Sequence, residues 1–305
     1  MATSMTAAQV VAQLKKWGLR YVEIPGWATH NREGHGAWGP VNGFVWHHTG
    51  ADVTDGKAYA ASTLYNGIAG LPGPLCHFSI GTDGTVYLVG WGRANHAGGG
   101  DPAVLAHVQA EDYTGQLHPT RGNSNGVDGN AHFYGVEIQY SGSHEMSPAQ
   151  YTAARKLSAA ILDFHGWSER SVIGHGEWSS DKWDPGYAPG KIMAMPTVRA
   201  DVKTTLAAGP GGTPPSQPNT GGGTSPSKAT PMTLSDVVVV GAWLKAQWPD
   251  DKGLADGKIT VNTAIGSAYG HARAAHEGVD ALRKEVADLR AAVAKLTAAV
   301  AAKGA

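Results

Sequence analysis

The sequence predicts an α/β domain over residues 1–208, with a central mixed β-sheet flanked by helices, then a linker at 209–230 and a helical tail at 231–305. Three observations carry that expectation. Short apolar runs of strand length alternate with segments of helical period through the first two-thirds of the chain, as in a sheet covered by helices. Residues 209–226 hold six glycines and five prolines, with Ser, Thr, Asn and Gln between them, a composition that tethers rather than folds. Beyond residue 261 the apolar side chains fall into heptads.

Residues 6–17 carry apolar positions at helical spacing and stop before Gly18, which suits a helix C-terminus. A loop rich in Gly, Pro, Asn and Trp follows at 25–43. Residues 43–49 (Gly-Phe-Val-Trp-His-His-Thr) read as a buried strand with a polar end. Residues 54–65 look helical. Two strands at 75–80 and 85–89 flank Gly81-Thr82-Asp83-Gly84, where Asp-Gly marks a hairpin turn. Residues 91–131 read as one long loop, with glycines at 98–100 and the run Gly122-Asn123-Ser124-Asn125-Gly126, and loops of that length are commonly functional. Residues 134–140 form a strand with Glu137 set among apolar neighbours. Ser147, Pro148 and Gln150 open a helix by the N-cap, proline-at-N1 and capping-box rules, and it runs to about Phe164 before Gly166. A strand into His175 and a last helix near 190–207 complete the domain.

In the tail, Val or Leu occupies every a and d position from Val279 to Val300, and β-branched a with Leu d favours a parallel two-stranded coiled coil at about 261–300. A homodimer through this segment is the expected partner state. The rival is a helical hairpin in which the segment folds back on a helix at 234–248 as a small binding domain.

Composition excludes several functions. Residues 1–207 hold 14 basic and 17 acidic side chains, and the remainder 10 and 8, so no basic field for nucleic acid is present. One cysteine, Cys76, rules out an internal disulfide framework and reads most simply as a small buried hydrophobe. No stretch reaches the roughly 18 apolar residues of a membrane helix, and the first residues lack the pattern of a signal peptide, so synthesis as a cytoplasmic chain is expected.

Candidate chemistry centres on residues 172–186 (Val-Ile-Gly-His-Gly-Glu-Trp-Ser-Ser-Asp-Lys-Trp-Asp-Pro-Gly). An apolar strand delivers His175, eight residues follow, and Asp184 is clamped by Pro185 and Gly186. Imidazole and carboxylate are both ligands that zinc accepts, and a hydrolytic site needs about three of them with one position open. One member of the pair His47 and His48 supplies the third, since alternation along the strand places the two on opposite faces. Lys182, two residues before Asp184, brings a cation beside the metal. Glu137, a carboxylate in an apolar setting, suits a general base that takes a proton from the attacking water. His77 and His96 read either as substrate contacts or as satisfied core histidines. His165, at a helix end, is expected to serve the helix dipole.

The strand Phe-Val-Trp-His-His-Thr-Gly, the segment Cys-His-Phe-Ser-Ile-Gly-Thr-Asp-Gly-Thr-Val-Tyr, Asn95-His96-Ala97-Gly98, Gly135-Val136-Glu137-Ile138, and Gly174-His175 with Lys182-Trp183-Asp184-Pro185-Gly186 share an order and spacing. In that order they resemble the N-acetylmuramoyl-L-alanine amidase type 2 family, which shares its fold with peptidoglycan recognition proteins, over roughly residues 40–205. The resemblance implies His47, His175 and Asp184 as the Zn2+ ligands, Glu137 as catalytic acid-base, Lys182 as oxyanion stabiliser, and the muramoyl–alanine amide of peptidoglycan as substrate. Some members use a tyrosine just before the position of His77. Here that position is Cys76, which places the chain nearer the branch using glutamate and aspartate. A wall-cutting domain with a tethered tail resembles a bacteriophage endolysin released by a holin. A host autolysin or recycling amidase, a non-catalytic wall-binding module and a stem-peptide peptidase are the rivals.

Overall fold

A computed structural model of the protein describes residues 2–115 and 118–212. Most of the expected linker, the helix at 234–248, the coiled coil at about 261–300 and the dimer it would make lie outside the described residues.

The fold is built around the strand that carries the histidine pair. A six-stranded sheet contains β1 (Tyr21–Glu23), β2 (Gly43–His48), β3 (Phe78–Ile80), β4 (Val86–Leu88), β5 (Phe133–Ile138) and β6 (Val172–Gly174), in the spatial order β1-β4-β3-β5-β2-β6. Only the β3–β4 pair is antiparallel, and it is the hairpin that the Asp-Gly turn predicts. All other neighbours run parallel, so the sheet is mixed, as expected.

Parallel strands are buried on both faces, and β2 shows it: Phe44, Val45 and Trp46 are each 0% exposed. Its even-numbered residues Phe44 and Trp46 enter the larger core, with Tyr134, Val136, Leu157, Ile161 and Val198. Helices α1 (Ala7–Lys16), α4 (Pro148–His165) and α6 (Met195–Ala208) contribute to that core. The Trp46 indole N–H donates to Ser158 Oγ on α4 at 2.8 Å, so this buried donor is satisfied. Val45 enters a smaller core on the other face, with Phe133, Ile173, Val104, Val108 and Trp178.

The helix-start signal read at Ser147 holds, and α1 has a box of the same kind that was not among the expectations. Ser147 accepts from the Gln150 backbone N–H and Gln150 returns the bond, while Gly166 closes α4 in the left-handed conformation. Thr6 and Gln9 make the same box on α1.

The helix expected at 54–65 is present, as α2 (Gly56–Tyr59) continued by a π-turn, Ala60–Leu64. Three expectations are corrected. Residues 91–131 are not one loop: they contain helix α3 (Pro102–Gln109), capped by the Asp101 carboxylate with Pro102 in its first turn, and a short ladder between Gly99–Gly100 and Val127–Asp128. The segment after His175 opens with one helical turn, α5 (His175–Trp178). His165 is not a cation on the helix dipole. Burial pushes its pKa down to about 4, its Nε2 meets the Tyr134 hydroxyl at 3.1 Å, and its ring stacks on Trp167. No helix among the described residues is long and apolar enough to cross a membrane.

Candidate metal centre

The parallel strands β5, β2 and β6 lie side by side and end together, and loops at the carboxyl ends of such strands are where α/β sheets place ligands. His47 lies at that end of β2, His175 follows β6 directly, and Glu137 on β5 is the register partner of His47. Cross-strand partners share a face, so His47 and Glu137 project together. Asp184 returns to the site because the Gly176 backbone N–H donates to the Asp184 carbonyl at 2.8 Å, which closes the loop on itself.

Three ligand atoms converge. His47 Nδ1 lies 2.9 Å from His175 Nδ1, and each lies 3.0 Å from Asp184 Oδ2. Their side chains are 1%, 5% and 13% exposed. Two ligands of a tetrahedral zinc with 2.0–2.1 Å bonds stand about 3.3 Å apart, so the triangle needs only a small expansion to hold one.

The tautomers decide what this triangle is. A carbonyl oxygen only accepts, so each imidazole nitrogen facing one must carry its hydrogen. His175 Nε2 faces the Ala97 carbonyl at 3.2 Å and therefore donates, which leaves Nδ1 with a lone pair. His96 Nε2 donates to the Phe133 carbonyl at 3.2 Å, so His96 Nδ1 is an acceptor. His47 Nε2 lies 3.0 Å from that acceptor and donates to it, leaving His47 Nδ1 with a lone pair as well. A proton on His47 Nδ1 would require the imidazolium, and burial, then the neighbouring His175, pushes the His47 pKa down to about 4. With both imidazoles neutral, two lone pairs and a carboxylate oxygen face one another at 3.0 Å or less, an arrangement whose natural occupant is a cation.

The neighbouring pair of charged residues has complementary character. Glu137 Oε2 is sealed from solvent and meets no partner among the described residues, although the residue as a whole is half-buried. Burial first, then the charge of Asp184, raises its pKa well above the ordinary glutamate value, while Lys182 opposes them. Lys182 is exposed, and its positive charge is felt at both His47 and Glu137.

The rest of the site is scaffolding. His48 projects to the other face and its Nδ1 accepts the Gly186 backbone N–H at 2.9 Å, a structural role. Glu177 in α5 accepts from the Gly174 N–H at 3.0 Å and from Arg199 of α6 through both carboxylate oxygens, at 2.8 and 2.9 Å. That bidentate pair is buried and fixes the turn that bears His175. The 118–126 stretch is fastened to the ligand loop: the Asn123 N–H donates to Asp181 at 2.7 Å and the Ser180 N–H to the Arg121 carbonyl at 2.9 Å.

Both His77 and His96 lie in the interior. His77 is 0% exposed, donates from Nε2 to the Gly92 carbonyl at 2.8 Å and accepts the Gly135 N–H at Nδ1 at 3.0 Å. Neither nitrogen is available to substrate. His96 likewise has both nitrogens engaged. Cys76 is wholly buried, and burial pushes its thiol up, as suits a core residue.

Residues 37–187 match the family described as N-acetylmuramoyl-L-alanine amidase. The chain belongs to that family through this segment. Among solved structures, it is similar to the N-acetylmuramoyl-L-alanine amidase LysC from Clostridium intestinale URNW, at 18% identity over 59% of this chain and 95% of that one, with a TM-score of 0.37. It is similar also to the Drosophila peptidoglycan recognition protein PGRP-SA, at 19% identity over 56% of this chain and 89% of that one, with a TM-score of 0.38. The Ph2119 endolysin of a Thermus scotoductus bacteriophage aligns at 16% identity over 55% of this chain and 92% of that one, with a TM-score of 0.36. Likenesses this distant assign no residue a role. No curated protein matches the chain.

Proposed function

We propose that this amidase-family protein is a zinc hydrolase that cleaves the amide between N-acetylmuramic acid and L-alanine in peptidoglycan, with His47, His175 and Asp184 as its metal ligands. The observation that carries the reading is the convergence of two lone-pair imidazole nitrogens and one carboxylate oxygen at 2.9–3.0 Å, in a chain matching the amidase family over residues 37–187. Zinc held there supplies a Lewis acid that polarises a carbonyl and lowers the pKa of water. Glu137 takes the proton of the attacking water and delivers it to the leaving alanine nitrogen, a task for which a carboxyl of raised pKa is suited. The Lys182 ammonium stabilises the negative charge that develops on the scissile carbonyl oxygen.

Digestion of purified peptidoglycan tests this directly. New N-terminal alanine together with muramic acid bearing a free lactyl carboxyl is the expected product pair, lost on chelation and restored by zinc. New amino groups elsewhere in the stem peptide would make the enzyme a peptidase, and wall binding without any cleavage would make it a recognition module.

The biological setting that fits best is a bacteriophage endolysin, made in the host cytoplasm and admitted to the wall by a holin. What supports it is the sequence organisation, a wall-cutting unit joined by a Gly/Pro-rich tether to a separate tail. Expression in a susceptible host is expected to leave cells intact until a holin is co-expressed. Export and wall cleavage without a holin would favour an autolysin instead.

A further inference from the structure

We propose that His96 is a positioning residue for the metal centre, fixing His47 in the tautomer whose Nδ1 faces His175 and Asp184. The inference rests on the reading of those three residues as metal ligands and goes beyond it to how one of them is set. A neutral imidazole carries its single hydrogen on either nitrogen, and the hydrogen bond made by one nitrogen decides which is left to bind metal. His47 is wholly interior, so that partner must come from the protein.

The relay begins on the backbone of β5. The Phe133 carbonyl accepts from His96 Nε2 at 3.2 Å, and His96 Nδ1 then accepts from His47 Nε2 at 3.0 Å. Every polarity in the chain follows from a carbonyl that has no hydrogen to give. The ring of His96 has room only because residue 135 is glycine, since a Cβ there would lie 2.3 Å from His96 Nδ1. The backbone that carries His96 is pinned in turn: Asn130 Oδ1 accepts the N–H groups of His96, Ala97 and Gly98 at 2.9, 2.8 and 3.3 Å. The next residue does for His175 what His96 does for His47, through the Ala97 carbonyl. One short segment therefore sets both imidazoles, which gives the Asn-His-Ala-Gly run a physical purpose.

A spacer role is the rival, because His96 also packs edge-on against His47 and His77 with ring centroids 5.2 and 5.3 Å away. Two measurements on the full chain separate them. In the metal-free, unsubstituted protein, nitrogen NMR of the imidazoles is expected to show His47 and His96 both protonated at Nε2 and bare at Nδ1. In zinc titrations against a competing chelator, His96→Phe, which keeps a ring and loses the acceptor, is expected to bind about 10- to 100-fold more weakly. His96→Gln, whose amide oxygen accepts a hydrogen bond, is expected to recover part of that loss. A His47 protonated at Nδ1 in the unsubstituted protein overturns the proposal whether or not the variants fold. So does a His96→Phe protein with zinc affinity within about threefold of the parent, since a hydrogen-bond partner of a metal-binding imidazole is normally worth about tenfold or more. If the unsubstituted chain binds no zinc, the metal-centre reading itself falls and takes this inference with it.

Discussion

Replacing His175 with alanine is expected to abolish zinc binding and peptidoglycan cleavage together, and to remove the stabilisation that zinc gives the parent. Among the described residues the triangle formed with His47 and Asp184 leaves no substitute histidine, because His48 points to the other face and is used by the Gly186 N–H, while His96 and His77 have both nitrogens engaged. Two remaining ligands do not make a zinc site of useful affinity. The thermodynamic consequence is separable from activity. A ligand that binds only the folded state at about a thousand times its Kd stabilises by about 4 kcal/mol. In a domain of about 200 residues that corresponds to a rise in Tm of roughly 8–16 °C. The parent is expected to show that rise on zinc addition, and His175→Ala, His47→Ala and Asp184→Ala are expected to show none. His48→Ala is the control that keeps it. A zinc-dependent rise in Tm that survived His175→Ala would move the metal elsewhere.

Much of this site was legible in the sequence because the signals that build it are local. Alternation along β2 separates His47 from His48, the Asp-Gly turn closes the β3–β4 hairpin, and the Ser147–Gln150 box starts α4. The apolar surroundings of Glu137 were visible as strand composition, and the sealed Oε2 is their consequence. What escaped depends on contacts between segments far apart in the chain. Helix α3 carried an Asp-Pro start at Asp101 and Pro102, but the glycines around it and its brief apolar run masked the helical period. His165 sits where a cation would suit the helix end. The Tyr134 hydroxyl that meets it belongs to β5, and the Trp167 ring stacks on it from just beyond the helix end. The roles of His77 and His96 are fixed by backbone groups of Gly92, Gly135 and Phe133, and no periodicity of the sequence announces those partners.

Glu137→Gln is expected to separate chemistry from metal binding and, unusually for an active-site change, to stabilise the metal-free fold. The amide keeps the shape of the side chain but takes no proton, so turnover should fall by about 10²-fold or more with zinc affinity retained. Loss of zinc from this variant would make Glu137 a ligand, and unchanged turnover would place the base elsewhere. The stability effect follows from the carboxyl being buried beside Asp184 with one oxygen unpartnered, which raises its folded-state pKa. For a raised carboxyl the sign is the reverse of the salt-bridged case. Above the unfolded pKa of about 4.3 the unfolded chain has released the proton while the folded chain still holds it, so stability declines as pH rises. The decline is about 1.4 kcal/mol per pH unit and ends once the folded pKa is passed. Glutamine removes this decline. Denaturant unfolding of the metal-free proteins is therefore expected to give a stability advantage to the variant that is smallest near pH 4.5 and widens toward pH 7. An advantage that stayed constant across that range would mean that Glu137 titrates normally in the fold, and its assignment as a poised acid-base group would lose its physical basis.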